Sequence, residues 1–269
     1  MRLTLLGVLL LGMGCASSQK IYFPARRMVV GVPVANVRSE PVPHNGEYQY
    51  DPLQETQIEK GEPVLVWEKK GKWFRVEAPE QLEFTHRDEW EGYPGWVKAE
   101  SLSTDLLLYR HIELIQLPVT ELREKILEKA SLHLGAPYLW GGRSLYEPEI
   151  TDTVTGVDCS GLVNWSFRQV GWIVPRDAHE QYMRAKSIEP KELKPADLIF
   201  LAKPNKPDRM VHVMFYEGNE KILEAPQSGE KVRRISIQDR FGKSLSELKN
   251  GVLIQDRLIF FGSYFSEDK

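Results

Sequence analysis

The chain holds two cysteines, Cys15 and Cys159, and six histidines. Cys159 lies in GVDCSGLVNWSFRQVG, between Asp158 and Ser160. After it, Leu162, Val163, Ser166, Phe167 and Val170 recur at helical spacing, and Gly171 ends the run. That pattern puts Cys159 at a helix N-terminus, where unpaired amides and the helix dipole favour negative charge. Such a place stabilises a thiolate, and the same amides can hold an oxyanion. A thiol nucleophile also needs a base. His44 and His86 stand among charged or turn residues, His111 in a connector, His133 near a helix end and His179 after a turn. His212 lies inside the apolar strand VHVMFY, directly after the polar loop PNKPDRM, so its imidazole could meet a helix start at a fixed distance. The opposing readings are a buried cysteine acting as a small hydrophobe and a hydrogen-bonded core histidine. Polar neighbours at Asp158 and Ser160 weigh against the first.

The elements that must position these groups fall into two sets. Over residues 28–108, VVGVPVANVR, GEPVLVWEK and KWFRVEAP alternate apolar and polar residues or carry β-branched runs, punctuated by Gly and Pro. Lys70-Gly71-Lys72 reads as a hairpin turn, and GYPGWV as a tight turn entering a strand. Period and spacing predict a small all-β barrel or sandwich. Past Pro118 the character changes, and a second domain is expected over 118–265. VTELREKILEKASLHLG predicts a helix with Thr120 as cap and Gly135 after its end. The Cys159 helix follows, then strands over 196–201, 211–216, 221–225 and 253–261. Helices first and strands after make an α+β domain with one antiparallel sheet.

The first 20 residues stand apart. Arg2, an apolar run from Leu3 to Met13 and small residues around Cys15 have the order of a secretory signal peptide. The run is too short to span a bilayer. Gly14-Cys15-Ala16-Ser17 resembles the lipobox of bacterial lipoproteins, which makes Cys15 a point of lipid attachment; plain cleavage near Ala16 or Ser18 is the other outcome. The expected location is the periplasm or cell envelope. A net charge of -3 gives no basic field for nucleic acid.

Five motifs occur in one order: YLWGG, DCSGLV, VPRDAHEQ, KPADLIF and VHVMFYEG. The series resembles the NlpC/p60 family of cell-wall cysteine peptidases, whose domain is a reduced papain-like α+β fold. VANVRSEP, TQIEKGEPVLVWEKKGKWFRVEAP and GYPGWVKAESL resemble a bacterial SH3-like domain of cell-wall enzymes. The resemblance implies that Cys159 is the nucleophile and His212 the base, acting on peptide bonds of peptidoglycan stems. The family's third polar residue, usually His, Asn or Gln, falls on Glu224 in Ile222-Leu223-Glu224-Ala225-Pro226. A carboxylate can orient an imidazole; an exposed strand glutamate is the other reading. Residues 143–157 lengthen a link that is often much shorter in the family, and are expected to form a loop at the cleft mouth.

Members with an SH3-like domain and a P-R-D motif resemble γ-D-glutamyl-L-diamino-acid endopeptidases that take stem peptides with a free N-terminal L-alanine. The matched positions are Arg176 and Asp177, with Asp177 facing the α-ammonium; Asp177 could instead cap the helix starting at Ala178. Asp158, Ser160, Tyr138 and Trp140 complete the expected substrate contacts, with Trp140 leaning to the core. The expected partners are stem peptides or muropeptides. This chemistry calls for no cofactor and no metal, and no Cys/His cluster has zinc spacing. Three alternatives stand beside this reading: a wall-binding lipoprotein with a degenerate peptidase domain, a hydrolase of intact peptidoglycan, and acyl transfer to an acceptor other than water.

Overall fold

Seven antiparallel strands build the N-terminal part of the computed structural model, which describes residues 26–44, 51–147, 149 and 153–265. The segment expected to be a signal peptide, with Cys15, lies outside the described residues. The strands are β1 (Arg26–Val30), β2 (Val34–Arg38), β3 (Gln54–Glu59), β4 (Pro63–Lys70), β5 (Trp73–Phe84), β6 (Trp90–Lys98) and β7 (Leu102–Ser103), in the sheet order β3-β2-β6-β5-β4-β1-β7. Met28, Val30, Ala35, Val37, Ile58, Val64, Val76, Tyr93 and Val97 fill its core. This is the small all-β unit that the residue pattern predicts, and Gly71, at φ 58°, turns β4 into β5.

GYPGWV is not a turn. It lies within β6, paired along β5 from Tyr93↔Ala78 to Val97↔Phe74. Its glycines answer to crowding: a Cβ on Gly95 would fall 2.3 Å from Val37 Cγ1, and one on Gly92 would fall 2.8 Å from the Ala78 carbonyl. The segment QETQIE, passed over in the pattern, is strand β3.

The C-terminal part starts with α1 (Val119–Ser131), α2 (Cys159–Arg168) and α3 (Ala178–Arg184). Pro118 occupies the N-cap of α1, so Thr120 sits inside the helix instead of capping it. The second sheet comprises β8 (Lys186–Ser187), β9 (Leu198–Lys203), β10 (Lys206–Gly218), β11 (Lys221–Glu224), β12 (Arg233–Ser236), β13 (Val252–Ile254) and β14 (Arg257–Ser263), ordered β12-β11-β10-β9-β14-β13 with β8 on β14. The single strand expected over 253–261 is a hairpin, because Gln255 takes φ 55° and reverses the chain between β13 and β14. Strand alternation divides the side chains between two faces. Leu198, Phe200, Val213, Phe215 and Leu223 pack with Leu162, Val163 and Phe167 of α2. Ile199, Met214, Tyr216, Ile222 and Phe261 pack with Ile237 and Phe241 of a short helix, α4 (Ile237–Phe241). The result is an α+β domain joined to a small barrel-like one.

Candidate active site

Asp158 is the N-cap of α2. Its Oδ1 accepts from the Gly161 amide at 2.6 Å, which fixes the helix start and places Cys159 at the first helical position. Gly161 has no substitute there, since a Cβ would fall 2.0 Å from the Gly142 carbonyl oxygen. The thiol is buried, at 8% exposure, and is the free cysteine among the described residues.

β10 carries His212 toward it. The imidazole hydrogen-bonds the Cys159 thiol and, through Nε2, Glu224 Oε2 at 3.2 Å. The three groups expected from the sequence therefore converge in one chain of hydrogen bonds. Burial alone would lower the His212 pKa; the charge and hydrogen bond of Cys159, then Glu224, outweigh it and raise it to about 9. Glu224 is fully buried, not an exposed strand residue. Burial would raise its pKa, but His212 and then Arg240 and Arg233 hold it down to about 2. An imidazolium on His212 beside an anionic Glu224 is the form these couplings favour.

Under this site lies a closed polar network. Arg176 is fully enclosed. Its Nη2 donates to Asp158 Oδ2 at 2.7 Å, its Nη1 to Ser160 Oγ at 2.9 Å, and its Nε to Thr56 Oγ1 at 2.7 Å. Asp158 Oδ2 also accepts from the Gly141 amide. Arg176 thus meets Asp158 and Ser160, two of the other residues expected to contact substrate, in this network. They brace the start of α2 against YLWGG and the barrel, with their polar atoms turned to each other.

Asp177 behaves otherwise. It occupies the N-cap position of α3, yet its side chain makes no capping bond. Oδ2 instead accepts from the Tyr93 hydroxyl at 3.0 Å, across the seam between the two domains. Its side chain is 45% exposed. The crowded cleft raises its pKa to about 6, first by burial and then through Glu180 and Asp158, against the pull of Arg176. Glu83 on β5 is raised to about 7 by burial and by Asp177, Glu180 and Glu55. Carboxylates from both domains thus gather at this seam. Tyr138 is partly buried against the core of the second domain, whereas Trp140 is 47% exposed, which corrects its expected core position.

The barrel is locked in place by β3 and by the residue 143–157 segment. Gln57 Nε2 donates to the Val154 carbonyl at 2.7 Å, and its Oε1 accepts from the Arg143 amide and the Ser144 hydroxyl. Arg143 is fully buried and pairs with both oxygens of Glu62, at 3.0 and 3.1 Å. Arg168 pairs with Glu80, and Trp165 Nε1 donates to Glu59. The ends of this segment thus anchor it between the domains, and residues 148 and 150–152 of the expected loop lie outside the described residues. Among the described residues, no group of three or more His, Cys, Asp or Glu side chains converges as a metal ion would require.

Residues 135–250 match the model of the NlpC/P60 family. The chain carries an NlpC/P60 family domain. It is 28% identical over 242 residues to the gamma-D-glutamyl-L-lysine dipeptidyl-peptidase of Bacillus subtilis, an alignment covering 70% of this chain and 78% of that protein. It is 39% identical over 113 residues to the peptidoglycan endopeptidase RipB of Mycobacterium tuberculosis, covering 40% of this chain but only 45% of RipB. An NlpC/P60 family protein from Bacillus cereus superposes with a TM-score of 0.65 at 19% identity, over 79% of this chain and 94% of that one, and so shares the fold. That overlap runs beyond the NlpC/P60 domain alone.

Proposed function

We propose that this protein is an exported cysteine peptidase that cleaves the γ-D-glutamyl-diamino acid bond of peptidoglycan stem peptides with a free N-terminal L-alanine. The observation that carries the reading is the Cys159–His212–Glu224 chain at the start of a buried helix. The Bacillus subtilis relative, aligned across both domains, is named for release of a dipeptide from a γ-D-glutamyl-L-lysine bond. Releasing a dipeptide requires measuring two residues from a free amine, and Asp177, left unused as a cap, is an anion suited to that ammonium.

In this mechanism the Cys159 thiolate attacks the γ-carbonyl carbon, and the amides at the α2 start hold the oxyanion. His212 donates its proton to the leaving amine of the diamino acid as the C–N bond breaks, which leaves a thioester on Cys159. His212 then takes a proton from water, the hydroxide adds to the thioester, and the dipeptide leaves with a new γ-carboxylate as the thiolate is restored. Glu224 orients the ring throughout. The barrel, SH3-like in sequence, closes one end of the cleft with Tyr93, Glu55 and Glu83, a role that its buried contacts with the peptidase domain support better than that of a tethered wall anchor.

The test is incubation of the mature protein and Cys159→Ala with L-Ala-γ-D-Glu-diaminopimelate and with its N-acetylated form, followed by mass spectrometry. Release of L-Ala-D-Glu by the wild type alone, and from the free amine alone, is expected. Equal turnover by Cys159→Ala removes the thiol from the mechanism, and equal turnover of both peptides removes the amine requirement.

A further inference from the structure

Glu224 is an unusual orienting group, because it carries a full charge in a place with no access to water. Left to itself there, a carboxylate has two poor outcomes. It can take up a proton, and then it no longer stabilises an imidazolium. Or it can remain an anion paired with His212 alone, and then it holds the imidazolium so firmly that the ring parts with its proton slowly.

Two arginines change this balance, and they come from two elements beyond the motif series. Arg233 stands opposite Glu224 in the β11–β12 register. Its Nε and Nη2 reach Oε1 at 3.1 and 2.9 Å, while its Nη1 pairs with Glu230 Oε2 at 2.6 Å. Arg240, on α4, donates from Nε to Oε2 at 3.2 Å, the same oxygen that meets His212. The ionisable groups facing the pair are thus Cys159 from α2, Arg233 from β12, Arg240 from α4 and, behind Arg233, Glu230.

We infer that Arg233 and Arg240 are positioning residues of this catalytic centre, clamping one oxygen of Glu224 each so that the carboxylate stays anionic yet turns only part of its charge on His212. Their parts differ. Arg233 forks on Oε1 and fixes the plane of the carboxylate. Arg240 shares Oε2 with the imidazole and so lies nearest the proton that moves. This inference rests on the proposed thiolate–imidazole pair but not on the identity of the substrate.

The experiment follows the imidazole directly. His212 is titrated by heteronuclear NMR in the full chain, with its signal assigned from its absence in His212→Asn. The wild type is compared with Arg233→Met, Arg240→Met and the Lys variants at both positions. Loss of either guanidinium removes a cation close to the ring, so each Met variant should move the His212 midpoint upward by about one pH unit. Arg240→Lys should return most of that shift because it restores the charge; Arg233→Lys should return less because lysine lacks the fork. Where a Met variant does not fold, the Gln variant at the same position makes the same comparison. A His212 midpoint unmoved in folded variants of both arginines overturns the inference. A midpoint that moves in a protein that leaves the stem peptide intact supports the clamp and sinks the proposed substrate; cleavage with an unmoved midpoint does the reverse.

Discussion

The Tyr93 hydroxyl donates to Asp177 Oδ2 at 3.0 Å, and it does so from one domain to the other. The contact makes the cleft end a joint product of barrel and peptidase. Burial, and then Glu180 and Asp158, raise the Asp177 pKa to about 6 against the pull of Arg176 and of this hydrogen bond, which leaves Asp177 more protonated than an ordinary aspartate. A substrate ammonium arriving there would drive the carboxylate to its charged form. Asp177→Asn should therefore lower kcat/KM for a free-amine stem peptide by about 10- to 100-fold, the worth of one charge-assisted hydrogen bond. It should leave the N-acetylated peptide no worse a substrate than before. Because burial and neighbouring carboxylates disfavour the charged form, the variant should melt no lower than the wild type near neutral pH. Tyr93→Phe should show a smaller loss on the same substrate. A fall in kcat/KM of equal size on both peptides would assign Asp177 a structural role instead.

Glu224→Gln tests the orienting carboxylate. In the wild type the His212 pKa is raised to about 9, so the alkaline limb of the kcat/KM profile belongs near there. Glutamine can still accept the Nε2–H but carries no charge, and it leaves Arg233 and Arg240 facing the ring unneutralised. Both changes lower the imidazolium pKa. The alkaline limb should fall toward the ordinary histidine range, with activity retained below it. A limb that stays near 9 would mean that Glu224 does not set it.

Cys159, His212 and Glu224 were legible because each sits at a position with a one-dimensional signature: a helix start, the apolar run VHVMFY and a fixed step onto the next strand; the polar stretch before VHVMFY, expected as a loop, is from Lys206 on the exposed start of the same strand β10. Asp177 was legible as a residue, though only the missing capping bond shows which way it faces. The rest depends on partners distant in sequence. β3 reads as polar since Gln54, Thr56, Gln57 and Glu59 bond across the domain seam to Trp140, Arg176, Val154 and Trp165. Arg176 reads as a binding residue, and its three buried partners show only in the fold. Arg233 and Arg240 gain meaning only from the pairing of β12 with β11 and the packing of α4, neither of which leaves a pattern in the chain. Trp140, expected to lean to the core, is exposed: a Cβ on Gly141 would fall 2.9 Å from the Gln54 carbonyl, and at this tight approach of the backbone the ring lies outside.

His133 is fully buried, and among the described residues neither ring nitrogen has a hydrogen-bond partner; it meets Trp165 edge-on at 4.5 Å. Burial lowers its pKa from 6.5 to about 4, so the folded protein holds it neutral. The unfolded chain takes up this proton below about pH 6.5 while the folded chain does not, so stability falls with pH until about pH 4. Over that window the loss amounts to about 3 kcal/mol from this one group. His212 acts in the opposite sense: its raised pKa supplies stability that is full below about pH 6.5 and is lost as pH rises through about 9. His133→Leu leaves that second contribution intact. Urea denaturation of the two proteins at about pH 8 and about pH 5 should show the variant losing less stability between them. Parallel losses would mean that the imidazole is solvated in the folded state.

Glu62 and Arg143 join the two domains through a pair that is closed to water on both sides. Such a pair adds little over a well-packed apolar one, but removing one partner alone costs about 3–5 kcal/mol. The two single variants should differ. After Arg143→Met, Glu62 keeps Arg168, whose Nε lies 3.5 Å away. After Glu62→Met, Arg143 retains Asn164 and the Gln57 carbonyl but loses its bonded carboxylate, and the nearby Glu59 offsets its charge only from a distance. Glu62→Met should therefore be the more destabilising, and the double variant should cost less than the sum of the two. Since the barrel wall and the peptidase share this contact, the seam bearing Tyr93 and Asp177 should loosen with it. Activity on the free-amine peptide should fall through KM at temperatures where the variants remain folded. Two additive, equal losses in chemical denaturation would show that the pair is not shielded, and an unchanged KM would separate the domain seam from the site it lines.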